Sequence, residues 1–354
     1  MDWVTTASVS VFVSILTEAT HDVGQTPLQA PSSKLPLLAI SGIHVVHKSV
    51  VDAVSREQTC HLCLSRDALV SYRPPYLPDL WGCSACSGQF VDPQPTDDEL
   101  ERVYQQDYFD SFGYSNNAAG FHRQKQRHFR QLLSFWELFV TPGRVLDVGS
   151  GLGDFLVVAA ERGWECVGFE RNGAALVGAS SAVRCATRIG LFETLVDPDD
   201  PFDLVTFHDT LEHLRDPRES LLRAFGCLRP GGCVAISTVD VGSVAARWLG
   251  WRWPHYHRDH LWYFSRQSLV RLVEKAGFVV EDGRVPRKVF ALDYVLAILA
   301  TYSNDGMIRR GAQCLRRNLP NWVLSRSLPA PREGQLLVGR RPADEGGARC
   351  HVTQ

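Results

Sequence analysis

The sequence predicts an α/β protein built on a doubly wound sheet, and three observations predict it. The stretch Val145-Leu-Asp-Val-Gly-Ser-Gly-Leu-Gly-Asp-Phe155 reads as a buried strand, a glycine turn and the start of a helix. Further apolar runs follow it at Cys166–Phe169, Asp203–Phe207 and Cys233–Ser237, spaced as strands between helical segments. Ahead of this region stand two C-x-x-C pairs, Cys60/Cys63 and Cys83/Cys86, which mark a separate small unit.

The glycine turn is the centre of the argument. Gly149, Gly151 and Gly153 let the backbone turn sharply and approach a ligand without a Cβ in the way. A dinucleotide fingerprint wants G-x-G-x-x-G with pyrophosphate on the helix N-terminus. Here the third glycine comes one residue early, and Asp147 and Asp154 flank the turn. Two carboxylates there repel a diphosphate and suit a cationic ligand. On these residues the chain resembles the class I S-adenosylmethionine-dependent methyltransferases, whose donor carries an ammonium and a sulfonium and no phosphate. A purely structural βα turn and an atypical NAD site are the alternatives.

The second strand ends in Glu170, about twenty residues past the glycines, where an acid accepts hydrogen bonds from ribose hydroxyls. The resemblance gives Glu170 the same task. Arg171 either flanks the adenine or is an exposed loop charge. Val183 to Ile189 is expected as the third strand. Many relatives carry an acid near the end of that strand for the adenine amino group; here Glu193 is displaced, so main-chain contacts at Leu191 are expected instead.

The fourth strand leads into His208-Asp-Thr-Leu-Glu-His-Leu-Arg-Asp-Pro217, which matches the family's Glu-His turn closed by proline. Ligands bind at the carboxyl ends of such strands. His208 is therefore expected to face the cofactor and His213 the reacting region. A capping or core histidine is the plain alternative for His213. Leu221 to Leu228 reads as a helix closed by Arg229-Pro-Gly-Gly232, another family hallmark. An aromatic, histidine-rich segment follows from Trp248 to Trp262 and reads as a pocket wall. His213 is the first candidate base, His260 the second, and Tyr263 is expected to orient substrate. A metal on His255, His257 and Asp259 has compatible spacing but no further ligands in the loop.

The paired C-x-x-C motifs have the spacing of a zinc ribbon. Cys60, Cys63, Cys83 and Cys86 supply four thiolates for a closed, structural zinc site. Many ribbons place glycine after each knuckle; here Leu64 and Ser87 stand there, so altered turns are expected. Thr96 and Glu99 form a capping box that starts a helix near Asp97. Residues 121–140 form an amphipathic helix whose basic part, His122 to Arg130, is expected to be a solvated face.

Val279 to Val285 is expected as the sixth strand and Gly334 to Gly339 as the seventh, antiparallel at the sheet edge as in the family. Helices at Ala291–Tyr302 and Ile308–Leu319 are expected to cap the substrate side. The full expectation is a Rossmann-like seven-stranded sheet with its last strand antiparallel, a small N-terminal zinc ribbon and a helical C-terminal insert. Its parts are an extension at 1–55, expected to be loosely packed or disordered, the ribbon at 56–95 and a helical linker at 96–142. The methyltransferase core spans 143–285, the cap and last strand 286–342, and a tail 343–354.

The chain has 354 residues, 45% hydrophobic and 21% charged, with a net charge of −2, as in ordinary soluble domains. That near-neutral balance argues against nucleic acid as the main partner. The rival reading is a ribbon-bearing RNA-binding protein or RNA methyltransferase. The apolar run Val9–Leu16 is too short to span a bilayer, and Asp2 replaces the positive start of a signal peptide. With 10 cysteines and no disulfide framework, a cytoplasmic protein is expected. The partner is then a small-molecule acceptor of the kind methylated in sugar, polysaccharide and secondary-metabolite pathways. The sequence does not distinguish O-, N- and C-methylation, nor does it fix an oligomeric state.

Overall fold

A computed structural model describes residues 55–56, 59–66, 69–72, 79–103, 118–176, 179–195, 200–253, 255–282, 289–302, 306–329 and 334–343. The expectations for the N-terminal extension and the C-terminal tail fall outside these residues.

The ribbon comes first in the chain. Strands β1 (Ser55–Arg56), β2 (Leu69–Tyr72), β3 (Leu80–Cys83) and β4 (Gln89–Val91) pair antiparallel in that order. The two knuckles sit at the mouth of this sheet. Each closes with a backbone bond back to its first cysteine: Leu64 N–H to Cys60 O at 2.8 Å, and Ser87 N–H to Cys83 O at 2.8 Å. The residues after the knuckles do not alter the turns. Leu64 and Ser87 take φ of 60° and 55°, the left-handed conformation that glycine supplies elsewhere. A side chain in that conformation costs about 1 kcal/mol. Ser87 is exposed, so Ser87→Gly removes the strain without opening a cavity. It is expected to stabilise the ribbon by up to about 1 kcal/mol, read as a higher unfolding midpoint; an unchanged or lower midpoint would refute the strain.

Helix α1 (Asp97–Val103) begins where the capping box predicts. Thr96 Oγ1 accepts the Glu99 N–H at 3.3 Å, and Glu99 Oε2 accepts the Thr96 N–H at 2.8 Å. Helix α2 (Ala118–Trp136) turns Leu132, Leu133 and Trp136 inward. Strand β5 (Arg144–Val148) leads through the glycine turn into α3 (Asp154–Glu161), and β6 (Glu165–Glu170) follows.

The expected third strand is a strand only at its end. Ser180 caps a short helix, α4 (Ser181–Ala186), by accepting the Val183 N–H at 3.3 Å, and β7 is only Thr187–Ile189. The cap and the Ala-rich turn win over the apolar pattern. Strand β8 (Phe202–His208) precedes α5 (Pro217–Cys227). Asp216 caps α5 by accepting from Arg218 N–H and Glu219 N–H, and Pro217 occupies its first turn. Strand β9 (Leu228–Val239) takes in the Pro-Gly-Gly turn. Helix α6 (Val244–Leu249), strand β10 (Trp262–Tyr263), helix α7 (Arg266–Lys275) and strand β11 (Val279–Asp282) complete the core. A Ser265/Ser268 capping box starts α7, and Gly277 at φ 96° ends it.

The insert is a two-strand hairpin of β12 (Val289–Ala291) and β13 (Ser327–Pro329). It encloses α8 (Leu292–Tyr302), α9 (Gly306–Asn318) and α10 (Asn321–Leu324). The last strand is β14 (Gly334–Arg340).

The main sheet runs β11-β14-β9-β8-β5-β6-β7. Strands β5 to β9 are parallel, and β14 is antiparallel to both of its neighbours. The seventh strand is thus antiparallel as expected but does not form the edge. It inserts between β9 and β11 and pairs its backbone with both. One face of the sheet packs on α2 and α3 through Leu133, Trp136 and Phe155. The other packs on α5 and α7 through Leu221, Ala224, Leu269 and Leu272, and the ribbon's Leu62 and Phe90 join that same core.

The ribbon is therefore not a detached module. Its sheet takes a fifth strand from the loop after β9: β10 pairs antiparallel with β4, Trp262 opposite Phe90 and Tyr263 opposite Gln89. Ser265 Oγ donates to Cys86 O, and Arg271 donates to Ala85 O at 3.1 Å. Gly88 lies so close to Leu62 and Ser268 that a Cβ would meet them at 2.5 and 2.8 Å.

Candidate active site

The donor side lies at the carboxyl ends of β5, β6 and β8. Asp147 is 2% exposed, and its Oδ1 accepts the Thr206 hydroxyl at 2.7 Å. Burial is the main force on its carboxyl, pushing it up to about 8 against the pull of that bond. Above it the turn winds through left-handed glycines. A Cβ on Gly153 would strike Val183 at 2.2 Å, whereas one on Gly151 would meet no atom within 4 Å. The turn is closed on the protein side at Gly153 and open at Gly151. Beside it, Glu170 Oε2 accepts the Gly151 N–H at 2.8 Å and Oε1 the Asn172 N–H at 2.9 Å. A carboxylate has about four lone-pair sites, so capacity remains for diol hydroxyls.

The other residues expected at the donor have partners within the protein. Asp154 Oδ1 bonds to His122 Nδ1 at 2.8 Å and to Gln126 Nε2 at 3.2 Å, so its carboxylate ties α2 across the turn. The basic part of α2 is accordingly not a plain solvated face; the i, i+4 spacing of His122 and Gln126 was the signal for this. His208 does not face open space. Its Nε2 is 3.8 Å from Asp147 Oδ1, and its ring is enclosed by Phe155, Trp136 and Phe129, with centroids 4.4 to 4.9 Å away. Arg171 reaches Asp97 at 3.7 Å on the ribbon side of the cleft. Leu191 is exposed beyond β7, and its carbonyl accepts the Thr194 N–H at 2.9 Å and the Thr194 hydroxyl at 2.7 Å.

The expected acceptor side consists of two loops. After β8, Asp209 takes φ 47°, a strained conformation of a kind found at functional sites, and a single 3-10 turn carries Leu211–His213. The aromatic loop returns to it: Leu261 N–H donates to Glu212 O at 2.9 Å. His213 Nδ1 lies 2.9 Å from Asp259 O, and its ring meets His260 at 4.6 Å. Bonding to a carbonyl makes Nδ1 the protonated nitrogen and Nε2 the lone-pair side. Burial holds His260 well below the usual imidazole range, helped by the neighbouring His213. Glu212, which sequence reasoning left without a role, is fully buried beside them, and burial pushes its carboxyl up to about 7. Its only signal in the sequence was its place before His213. Tyr263 is fully buried, and its hydroxyl donates to His257 O at 3.0 Å. It braces the histidine loop.

Cys60, Cys63, Cys83 and Cys86 converge with all four sulfurs within 4.8 Å of one another. The Cys60–Cys86 and Cys63–Cys83 pairs are 3.9 and 3.8 Å apart. Sulfurs at the corners of a tetrahedron with Zn–S near 2.3 Å stand about 3.8 Å apart. The buried four-thiolate set therefore fits zinc in size, charge and geometry.

A buried acid beneath a glycine turn, a second acid at the next strand end and a parallel sheet with one antiparallel insertion make up this side of the site. Residues 121–282 match the family of methyltransferase domains, and the chain carries such a domain. It is 38% identical over 103 residues to a ubiquinone biosynthesis O-methyltransferase of Alkalilimnicola ehrlichii, covering 27% of this chain and 42% of that protein. The enzyme of the same name from Aeromonas salmonicida is 31% identical over 153 residues, 39% of this chain and 64% of that one. A malonyl-[acyl-carrier protein] O-methyltransferase of Methylococcus capsulatus is 28% identical over 193 residues, 52% and 68% of the two chains. The chain spans less than two thirds of the first two relatives' length. Among the described residues no helix is long and apolar enough to cross a membrane.

Proposed function

We propose that the protein transfers a methyl group from S-adenosylmethionine to a small-molecule acceptor, a sugar or a carrier-linked metabolite, in the cytoplasm. The carrying observation is the buried Asp147 beneath a glycine turn that opens at Gly151, with Glu170 beside the opening. When bound, the donor supplies an electrophilic methyl on a sulfonium. The chain's own residues do the rest. Asp147 presents negative charge to the donor's cationic end, and Glu170 accepts from its ribose. The loops at Glu212–His213 and His255–Tyr263 hold the acceptor in line and take its proton. Similarity to a ubiquinone biosynthesis O-methyltransferase and to a malonyl-[acyl-carrier protein] O-methyltransferase supports an acceptor of this class. The described cysteines are all free thiols, which suits a reducing compartment. The ribbon's role is structural, with zinc on its four cysteines.

Calorimetry tests the donor site. In the empty protein Asp147 stays protonated up to about pH 8. A cationic ligand favours the carboxylate, so binding releases a proton. Affinity is expected to rise with pH by up to about tenfold per unit below pH 8 and then level off. The stability of the empty protein runs the other way. The unfolded chain ionises this group near pH 4, so stability falls as pH rises from there to about 8. Asp147→Asn should remove the pH slope and weaken donor binding. No proton release, or equal affinity for NAD, would refute the reading.

A further inference from the structure

We infer that Glu212, His213 and His260 hold a divalent transition-metal cation, at a second site distinct from the ribbon. One ligand atom from each of the three lies within 4.8 Å of the others. Glu212 and His213 come from the 3-10 turn after β8, and His260 comes from the aromatic loop. The two segments are locked together by the Leu261–Glu212 backbone bond. Glu212 is fully buried; the Thr238 hydroxyl lies beside its carboxylate, but neither oxygen makes a hydrogen bond of good geometry, and Nδ1 of the buried His260 makes none either. A buried carboxylate without a partner is costly, and such groups call for an ion or an equivalent partner. A cation between the three answers the carboxylate and both imidazoles at once.

The orientation of His213 supports this. A metal-bound histidine almost always gives its other ring N–H to a carbonyl or carboxylate. His213 Nδ1 is 2.9 Å from Asp259 O, with the Asp259 carboxylate 3.6 Å away, so its remaining nitrogen is set up as a ligand. Two imidazoles and one carboxylate select zinc, iron or manganese over magnesium and calcium, which prefer oxygen-only sets. Ligands around such an ion stand about 3.4 Å apart at bond lengths near 2.1 Å. The loops must therefore draw in slightly, and His213, the least buried of the three, can move to do so. Three protein ligands leave open positions. On the methyl-transfer reading, an acceptor hydroxyl would sit there and lose its proton more readily, with His213 holding the metal instead of taking that proton.

Metal analysis of the full chain tests this without donor or acceptor, so failure of the methyl-transfer reading leaves the result unaffected. Protein loaded with excess zinc, iron or manganese and then dialysed is expected to hold two equivalents per chain. Glu212→Gln and His213→Ala should each hold one, with the ribbon's zinc retained. His213→Ala guards against misfolding of the buried Glu212 variant. Cobalt substitution separates the sites, since the thiolate site gives intense charge-transfer absorption and the nitrogen–oxygen site does not. One equivalent in the parent protein, or two in both variants, would overturn the proposal. So would loss of the second equivalent in His257→Ala alone, which would place the ion on His257, Asp259 and His260.

Discussion

His213→Ala is expected to slow single-turnover methyl transfer by about a hundredfold to ten-thousandfold while donor affinity stays within a few fold. The side chain stands at the carboxyl end of β8, where the Leu211–His213 turn meets the aromatic loop. Its Nδ1 contact with the Asp259 carbonyl at 2.9 Å fixes the tautomer, and Nε2 is the nitrogen that would serve the acceptor, as base or as metal ligand. The donor side, by contrast, rests on Asp147 and Glu170, which the substitution does not touch. His260→Ala is the necessary comparison. Its ring packs edge-on to His213 at 4.6 Å and stays neutral because it is buried. If His213→Ala keeps full rate and His260→Ala loses it, the proton acceptor is His260. If both keep full rate, the acceptor needs no protein base and positioning alone drives transfer. Should a metal at this cluster acidify the acceptor, activity will also vanish on chelation and return with added cation.

Cys63→Ser is expected to lose the ribbon's zinc and to disable the acceptor side along with it. Structural zinc is worth about 10–16 kcal/mol in small thiolate and histidine modules, so folding of the ribbon and metal binding are one event. The damage should not stop at the ribbon. Strand β10 is the fifth strand of its sheet, and His260 lies two residues before it. Val91 N–H donates to Leu261 O at 2.9 Å, and Tyr256 Oη donates to Gln89 Oε1 at 2.9 Å. Loosening β4 therefore loosens the histidine loop. The expected pattern is absence of the ribbon's zinc, a lower unfolding midpoint and a large loss of methyl transfer, with donor binding retained. Full activity in a chain without ribbon zinc would sink this coupling.

Much of the fold was legible because its signals are local. The glycine turn at 145–155 and the two C-x-x-C pairs declare themselves within a few residues, and so do the caps at Thr96 and Gly277. What was missed depends on pairing across long stretches of chain. Trp262–Tyr263 is too short to read as a strand and becomes one only against Gln89–Phe90. The place of β14 inside the sheet rests on its pairing with both β9 and β11, which no short window reveals. At the site, the strand-end places of Asp147 and Glu170 were readable, but the enclosure of His208 by α2 and the engagement of Asp154 by His122 were not. Those contacts come from a helix that precedes the core in sequence and lies over it in space. Tyr263 was read by residue type, and its full burial and its bond to His257 O were not legible in the sequence.

The pairing of β4 with β10 also sets an order of events during synthesis. Trp262 is made about 170 residues after Phe90. At ordinary elongation rates that is a delay of about ten to thirty seconds. Throughout it the knuckles can take up metal while the outer edge of β4 has no neighbour. An open edge of this kind is a template for pairing with another chain. The nascent polypeptide thus needs shielding at Gln89–Val91 until the distant segment emerges. A fragment that stops at α1 keeps that edge bare for good, and it should self-associate where the whole chain does not.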